Sequence, residues 1–138
     1  MYVLTTHIEY QVDKFNDIGF QTWKLSKQTK ALRDDLVVVL MTHVDTEEDE
    51  MGAPRVRAKT LGKLINKIVT LEGLFTSVIL SKAINTSSNG VVYKFLVKND
   101  GASTVKTPMG MFDDVMDEGG FIDNDLELVR NTIINYYK

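Results

Sequence analysis

The feature that most constrains the fold is an uninterrupted apolar run, Leu36–Met41, which ends in the polar pair Thr42-His43. Short runs of β-branched and aliphatic residues are typical of strands buried on both faces, as in the central sheet of an α/β protein. In such sheets, the residues that follow a strand at its carboxyl end often contact a ligand. The pattern therefore predicts a central strand over residues 36–41 that delivers Thr42 and His43 to a ligand site.

Two stretches have the periodicity of amphipathic helices. The first is Phe15–Leu32, in which apolar and small residues recur at three- and four-residue spacing, and its expected buried face is Phe15, Ile18, Thr22, Leu25, Thr29 and Leu32. The second is capped around Asp123-Asn124-Asp125, where Asn124 and Glu127 match a capping box. Its expected buried face is Leu126, Val129, Ile133 and Tyr137.

Other segments predict a hairpin and a loop. The β-rich runs Phe75–Ile84 and Val91–Val97 are separated by a polar segment that ends in Asn89-Gly90, a pair that favours a tight turn. We therefore expect an antiparallel hairpin. Val44–Ala58 combines acidic residues with glycine and proline, which favours a long, mobile loop, and Leu61–Ile68 favours a short helix.

The composition limits the classes of fold and function. A chain of 138 residues, with 43% hydrophobic and 25% charged residues, predicts one globular domain over residues 1–138. The net charge of −3 provides no overall attraction to nucleic acid, so any such contact must use a local basic segment. The absence of cysteine excludes disulfides and thiolate chemistry. Without a signal peptide or a long apolar segment, we expect a cytoplasmic protein with no membrane partner.

Several motifs follow one another along the chain. The run ending in Thr42-His43 is followed by Lys59-Thr60-Leu61-Gly62-Lys63, Leu71-Glu72-Gly73-Leu74-Phe75, Lys106-Thr107-Pro108-x-Gly110-Met111-Phe112 and Asn124-Asp125-Leu126. In order and spacing, this series resembles the C-terminal part of phage-encoded RecA-like P-loop ATPases of the recombination and single-strand-annealing group, from about Asp13 onward. The resemblance implies a partial RecA-like sheet with flanking helices and an added antiparallel hairpin. It also implies a role in DNA recombination or repair, with ATP, magnesium and single-stranded DNA as ligands.

Two parts that such an ATPase needs are missing from the sequence. There is no G-x-x-x-x-G-K-[ST] phosphate-binding loop and no preceding strand with an aspartate for magnesium. We therefore expect no ATP hydrolysis by this chain alone. We also expect self-association, or a partner chain that supplies the nucleotide-binding half. The alternative is a non-catalytic interaction or regulatory module derived from such an ATPase.

The resemblance assigns roles to individual residues. His43 corresponds to a catalytic sensor that contacts the γ-phosphate or the attacking water. The residues expected near the nucleotide are Thr42, Lys63 and Lys106. The residues expected to bind DNA, in the counterpart of the second DNA-binding loop, are Arg55, Arg57 and Lys59.

Each assignment has an alternative. His43 at a strand end can simply satisfy backbone groups, and with Asp45 and Glu47 it can also be interpreted as a set of metal ligands. The basic residues share their segment with the acidic run Glu47–Glu50 and with no aromatic residue for base stacking. A solvated hinge is therefore the alternative to a DNA-binding loop.

Overall fold

A computed structural model describes residues 17–21, 23–33, 36–59, 70–87 and 90–138. The chain divides into two compact units. The first consists of Met1–Asp45 and Ala58–Phe75, and the second of Thr46–Arg57 and Thr76–Lys138. The described residues form helices and two small antiparallel sheets. The mixed α and β class is therefore confirmed, whereas a RecA-like sheet stays a prediction.

The first helix, α1, consists of residues 17–21 and 23–28 and continues into a 3-10 turn, Thr29–Ala31. The helix predicted over this stretch is thus confirmed for the described residues. Its predicted buried face is wrong at Leu25 and Leu32, which are exposed, whereas Gly19 and Ser26 are buried. Ile18 and Thr29 are half-buried, and Phe15 and Thr22 lie outside the described residues. Gly19 and Ser26 lie two helical turns apart, so both of these small residues lie on one side of α1. Hydrophobic periodicity does not detect buried positions that small residues occupy.

The apolar run Leu36–Met41 does not form the predicted central strand. It has no β structure, and all its side chains except that of Val37 are exposed, from 42% at Val38 to 82% at Met41. A buried strand needs neighbouring strands for its backbone groups, and no strand of the described part of the chain pairs with this run. High β-propensity alone therefore does not make it a strand.

Val44–Ala58 is a hairpin and not the predicted mobile loop. Its strands are β1 (Val44–Glu48) and β2 (Pro54–Ala58). Asp49 closes the turn, because its Oδ1 accepts hydrogen bonds from the N–H groups of Met51 and Ala53, each at 2.9 Å. Four of the five residues of β1 and two of the five residues of β2 are exposed, and the others are half-buried. Because none of these side chains is fully buried, a segment so rich in charge can form strands. The helix predicted for Leu61–Ile68 lies outside the described residues.

The second unit contains a three-stranded antiparallel sheet. Strand β3 (Leu80–Thr86) pairs with β4 (Gly90–Leu96), and β4 pairs on its other edge with β5 (Phe121–Asp123). The predicted hairpin is therefore confirmed, although its first strand begins at Leu80 and not at Phe75. Gly90 has a positive φ of 70° at the start of β4, a conformation that glycine adopts without steric cost. Asn89 lies outside the described residues.

The core of the second unit joins its sheet to the C-terminal helix α2 (Leu126–Tyr136). Its buried side chains are Val97, Met111, Phe112, Ile122 and Val129. Residues 106–112 contain no strand or helix, yet they supply two of these side chains. A segment without regular structure is therefore essential to the packing of this unit.

The N-cap of α2 lies within the predicted segment, but one residue after the predicted capping-box residue Asn124. The N-cap is Asp125, whose Oδ1 accepts hydrogen bonds from the N–H groups of Glu127 at 2.8 Å and Leu128 at 3.4 Å. Asn124 instead donates a hydrogen bond from Nδ2 to the hydroxyl of Ser81 on β3, at 2.9 Å. On the predicted buried face, Val129 and Ile133 pack in the core, whereas Leu126 and Tyr137 are exposed.

Candidate functional site

The two predicted DNA-binding arginines lie on β2. Arg55 and Arg57 are two positions apart, so their side chains leave the same face of the strand. Arg57 Nη1 donates to Glu47 Oε2 of β1 at 3.0 Å, and this pair neutralises the Arg57 charge locally. Arg55 is exposed. Of the two arginines, Arg55 is therefore the better placed to contact an anionic ligand.

The second edge of β2 is also paired. Val56 donates its N–H to the carbonyl of Ala102 at 2.8 Å and accepts from the N–H of Thr104 at 3.0 Å, which makes a short parallel bridge at Ser103. Ser103 is buried. Strand β2 is therefore hydrogen-bonded on both edges, to β1 on one side and to the segment around Ser103 on the other. This pairing fixes the backbone at Arg55, as a precise binding position requires.

The base of the hairpin brings three predicted site residues together within the first unit. Lys59 donates its N–H to the carbonyl of His43 at 2.7 Å. The hydroxyl of Thr42 donates to the carbonyl of Lys59 at 2.9 Å. The side chains of His43 and Lys59 are exposed. The polar pair after the apolar run is thus linked to the basic residue that follows β2.

Glu72 supports the hairpin base and was missed by the sequence reasoning. It is a buried carboxylate in the 3-10 turn Leu71–Leu74. Its Oε1 accepts the N–H of Ala58 at 2.9 Å. A buried carboxylate is stable only with hydrogen-bonding partners, so this residue positions the end of β2. Its place in the Leu71–Phe75 motif was the signal that could have identified it.

The other predicted residues are not brought into this arrangement by the described contacts. Lys106 is an exposed residue of the second unit, where its backbone pairs with Val78 at 2.7 and 3.0 Å. Lys63 lies outside the described residues. No group of three histidine, aspartate or glutamate residues in the described ranges is arranged to hold a metal ion. The structure therefore gives no support to the alternative of His43, Asp45 and Glu47 as metal ligands.

Two lysines face each other across the β3–β4 hairpin. Lys82 is the direct cross-strand partner of Lys94, and like charges in that position destabilise an antiparallel pair. Each lysine is neutralised by a carboxylate: Lys82 Nζ lies 2.8 Å from Asp100 Oδ2, and Lys94 Nζ lies 3.2 Å from Asp117 Oδ2. The two loops that carry these aspartates therefore stabilise the hairpin.

Asp100 connects this hairpin to the edge of β2. It accepts hydrogen bonds from Lys82, from the buried Ser103 hydroxyl at 2.7 Å and from the Ala102 N–H at 3.1 Å. These hydrogen bonds hold the pKa of Asp100 well below its ordinary value, and the bond from Lys82 has the largest effect. Burial acts in the opposite direction but is outweighed. The pKa of Asp117 is also lowered, mainly by the backbone N–H of Phe121.

Acid is expected to weaken the second unit through Asp100. Because the carboxylate has a lower pKa in the folded than in the unfolded chain, its contribution is complete near neutral pH and is lost as the pH falls below about 5. We expect Asp100→Asn to lower the free energy of unfolding at pH 7 and to flatten its decline toward pH 3. Urea unfolding at both pH values measures this. The exposed Asp114→Asn is the control, and an Asp100→Asn variant with an unchanged acid slope would contradict the assignment.

No helix of the described residues is long and apolar enough to cross a membrane. Comparisons with protein families, curated proteins and solved structures found no match for this chain. The RecA-like resemblance therefore depends on the sequence motifs alone.

Proposed function

We propose that this chain is a phage RecA-like, ATPase-related protein of DNA recombination or repair that contacts single-stranded DNA through the β1–β2 hairpin. The observation that supports this most is the base of the hairpin, where Thr42 and His43 are hydrogen-bonded to Lys59. These residues come from two separate motifs of the RecA-like series. The resemblance assigns the segment that contains this hairpin to a DNA-binding loop.

The proposed ATP site is incomplete in this sequence. The missing phosphate-binding loop and magnesium-binding aspartate would come from a partner, and the exposed apolar run Leu36–Met41 is the surface that such a partner would cover. In that assembly, His43 would act as the sensor of the γ-phosphate, and Lys63 and Lys106 would lie near the phosphates. ATP and magnesium enter the proposal through the resemblance.

Reversing the charge of Arg55 or Lys59 tests the DNA contact. We expect the chain to bind a labelled single strand with an affinity that falls with salt, with a slope of about −0.7 per phosphate neutralised. Arg55→Glu and Lys59→Glu should each weaken binding and reduce this slope. Arg57→Glu, the same change of charge, should have a smaller effect, because Glu47 already neutralises Arg57. Fluorescence anisotropy at several salt concentrations measures all of these affinities.

The control for this experiment is Lys138→Glu, which changes the net charge by the same amount at the exposed C-terminus. A loss of affinity as large as that of Arg55→Glu would show that only overall charge matters. Phosphate release should be absent with and without DNA in the same mixtures. ATP turnover by the pure chain that disappears in His43→Ala would overturn the proposal of an incomplete ATPase.

A second candidate function is a non-catalytic interaction module. The observation that favours it is the exposed run Leu36–Met41, since folded chains rarely leave several adjacent aliphatic side chains in water. This function predicts self-association that Val39→Lys abolishes, without any DNA binding. Light scattering over a dilution series, together with the anisotropy titration, distinguishes the two candidates.

A further inference from the structure

Helix α1 presents an exposed aromatic pair. The rings of Phe20 and Trp23 are stacked, with their centroids 5.8 Å apart and an angle of 25° between their planes. Phe20 is 54% exposed and Trp23 is 39% exposed. The Nζ of Lys27 lies 5.6 Å from the centre of the Trp23 ring. Residues 20, 23 and 27 share one helix face by their spacing, so α1 carries two stacked rings and a cation side by side.

The helix and the turn that follows it carry more basic than acidic residues, although the whole chain is acidic. Residues 17–33 contain four basic residues, Lys24, Lys27, Lys30 and Arg33, and a single acidic residue, Asp17, whereas the net charge of the chain is −3. Lys24 and Lys27 are exposed. The surface therefore suits a partner that has both negative charge and flat apolar faces. Single-stranded nucleic acid has both, in its phosphates and its bases.

An anionic membrane is the main competing partner for a basic helix with exposed aromatic residues. Helices that lie on membranes place their apolar residues on one face and their lysines on the other. In α1, Lys27 shares the face of Phe20 and Trp23, whereas the exposed Leu25 lies about 140° around the helix from Phe20, at about 100° per residue. Mixed aromatic and basic residues on one face favour a nucleic acid strand.

We propose that Phe20, Trp23 and Lys27 form a base-stacking platform for single-stranded nucleic acid. A base extends the existing stack of the two rings, while Lys24 and Lys27 contact the phosphates on either side. Because the rings are already stacked in the free chain, little conformational entropy is lost when a base is added. The inference shares its ligand class with the proposed function but uses residues of α1 and not those of the hairpin.

Trp23 is the single tryptophan of the sequence, so its fluorescence reports this surface directly. We expect oligothymidylate to quench it, and an abasic strand of equal length, which keeps the phosphates without the bases, to quench it much less. Phe20→Ala should weaken the oligothymidylate affinity about tenfold or more, the loss expected when base stacking is removed. Leu25→Ala, which removes an exposed apolar side chain elsewhere on the helix, is the matched control and should leave the affinity unchanged.

Several outcomes would overturn the platform. These are equal quenching by the abasic strand, equal losses in Phe20→Ala and Leu25→Ala, or a blue shift with phosphatidylserine vesicles and no response to oligothymidylate. Circular dichroism of each variant verifies that α1 still forms. Trp23→Ala, followed by anisotropy of a labelled strand, should match Phe20→Ala, and unchanged affinity would also overturn the platform.

The same titrations separate this inference from the proposed function. DNA binding that depends on Arg55 but neither quenches Trp23 nor weakens in Phe20→Ala would overturn the platform and leave the hairpin contact standing. Binding that requires Phe20 but is unchanged in Arg55→Glu and Lys59→Glu would overturn the hairpin contact and support the platform. Absence of any binding to single strands would overturn both.

Discussion

Replacing Phe112 with alanine is expected to lower the free energy of unfolding of the second unit by about 3–5 kcal/mol. The Phe112 side chain is 2% exposed and belongs to the cluster that joins β5 and α2. Its removal costs the transfer free energy of the ring and leaves a cavity that the neighbouring side chains fill only in part. Since small domains are stable by about 5–15 kcal/mol, such a loss consumes much of the stability.

Chemical unfolding followed by far-ultraviolet circular dichroism measures this effect, because Trp23 belongs to the other unit and is not a suitable reporter. Met109→Ala is the matched control, since Met109 lies in the same turn-rich segment but is 93% exposed. We expect it to change stability by less than about 0.5 kcal/mol. Similar losses in the two variants would contradict the position of Phe112 in the core.

Replacing Gly120 with alanine is expected to destabilise the second unit by about 2–5 kcal/mol. Gly120 has a φ of +76°, and a Cβ atom there would lie 2.5 Å from the Cβ of Lys98. The left-handed backbone costs an L-residue about 1–2 kcal/mol, and relief of the clash adds about 1–3 kcal/mol. The residues cannot simply move apart, because the Gly120 carbonyl accepts the N–H of the buried Val97 at 2.9 Å.

Gly110→Ala separates the two contributions. Gly110 has nearly the same backbone, with a φ of +79°, but nothing within 4 Å of an added Cβ. This variant should therefore show the backbone cost alone, about 1–2 kcal/mol. The difference between the two free energies of unfolding measures the close approach of Gly120 to Lys98. If the two variants lose equal free energy of unfolding, Gly120 and Lys98 lie further apart than the structure shows.

Elements with strong local signals could be predicted from the sequence. The β3–β4 hairpin follows from alternating side chains around a polar turn, which are short-range signals. The C-terminal helix follows from its periodicity, and its cap was wrong by one residue, since Asn124 and Asp125 have similar capping tendencies. Tertiary contact decided between them, because Asn124 bonds to Ser81 on β3.

Elements that depend on distant partners could not be predicted. Leu36–Met41 has the composition of a buried strand, but no strand of the described part pairs with it. The Val44–Ala58 hairpin was missed for the opposite reason. Its acidic run resembles a loop, yet Asp49 closes a turn and Val56 pairs with the segment around Ser103. Sequence separation hides such pairings from any local pattern.

The candidate site shows the same division. The sequence alone identified the basic residues Arg55, Arg57 and Lys59, and their order in the motif series suggested a DNA-binding role. The tertiary structure distinguished them, because Glu47 neutralises Arg57 whereas Arg55 and Lys59 are exposed. Glu72 was assigned no role in the sequence reasoning, and only its contact with Ala58 revealed one.

By itself, then, the sequence determined the helices at both ends, the β3–β4 hairpin and the residues available for charge and stacking. The tertiary structure decided which of those side chains are exposed, which are paired and which are buried: Phe20 and Trp23 at the surface, Lys82 and Lys94 each beside an aspartate, Phe112 in the core. The physical reason is range. Backbone preferences and turn geometry act over a few residues, whereas burial and charge neutralisation depend on groups far away in the chain.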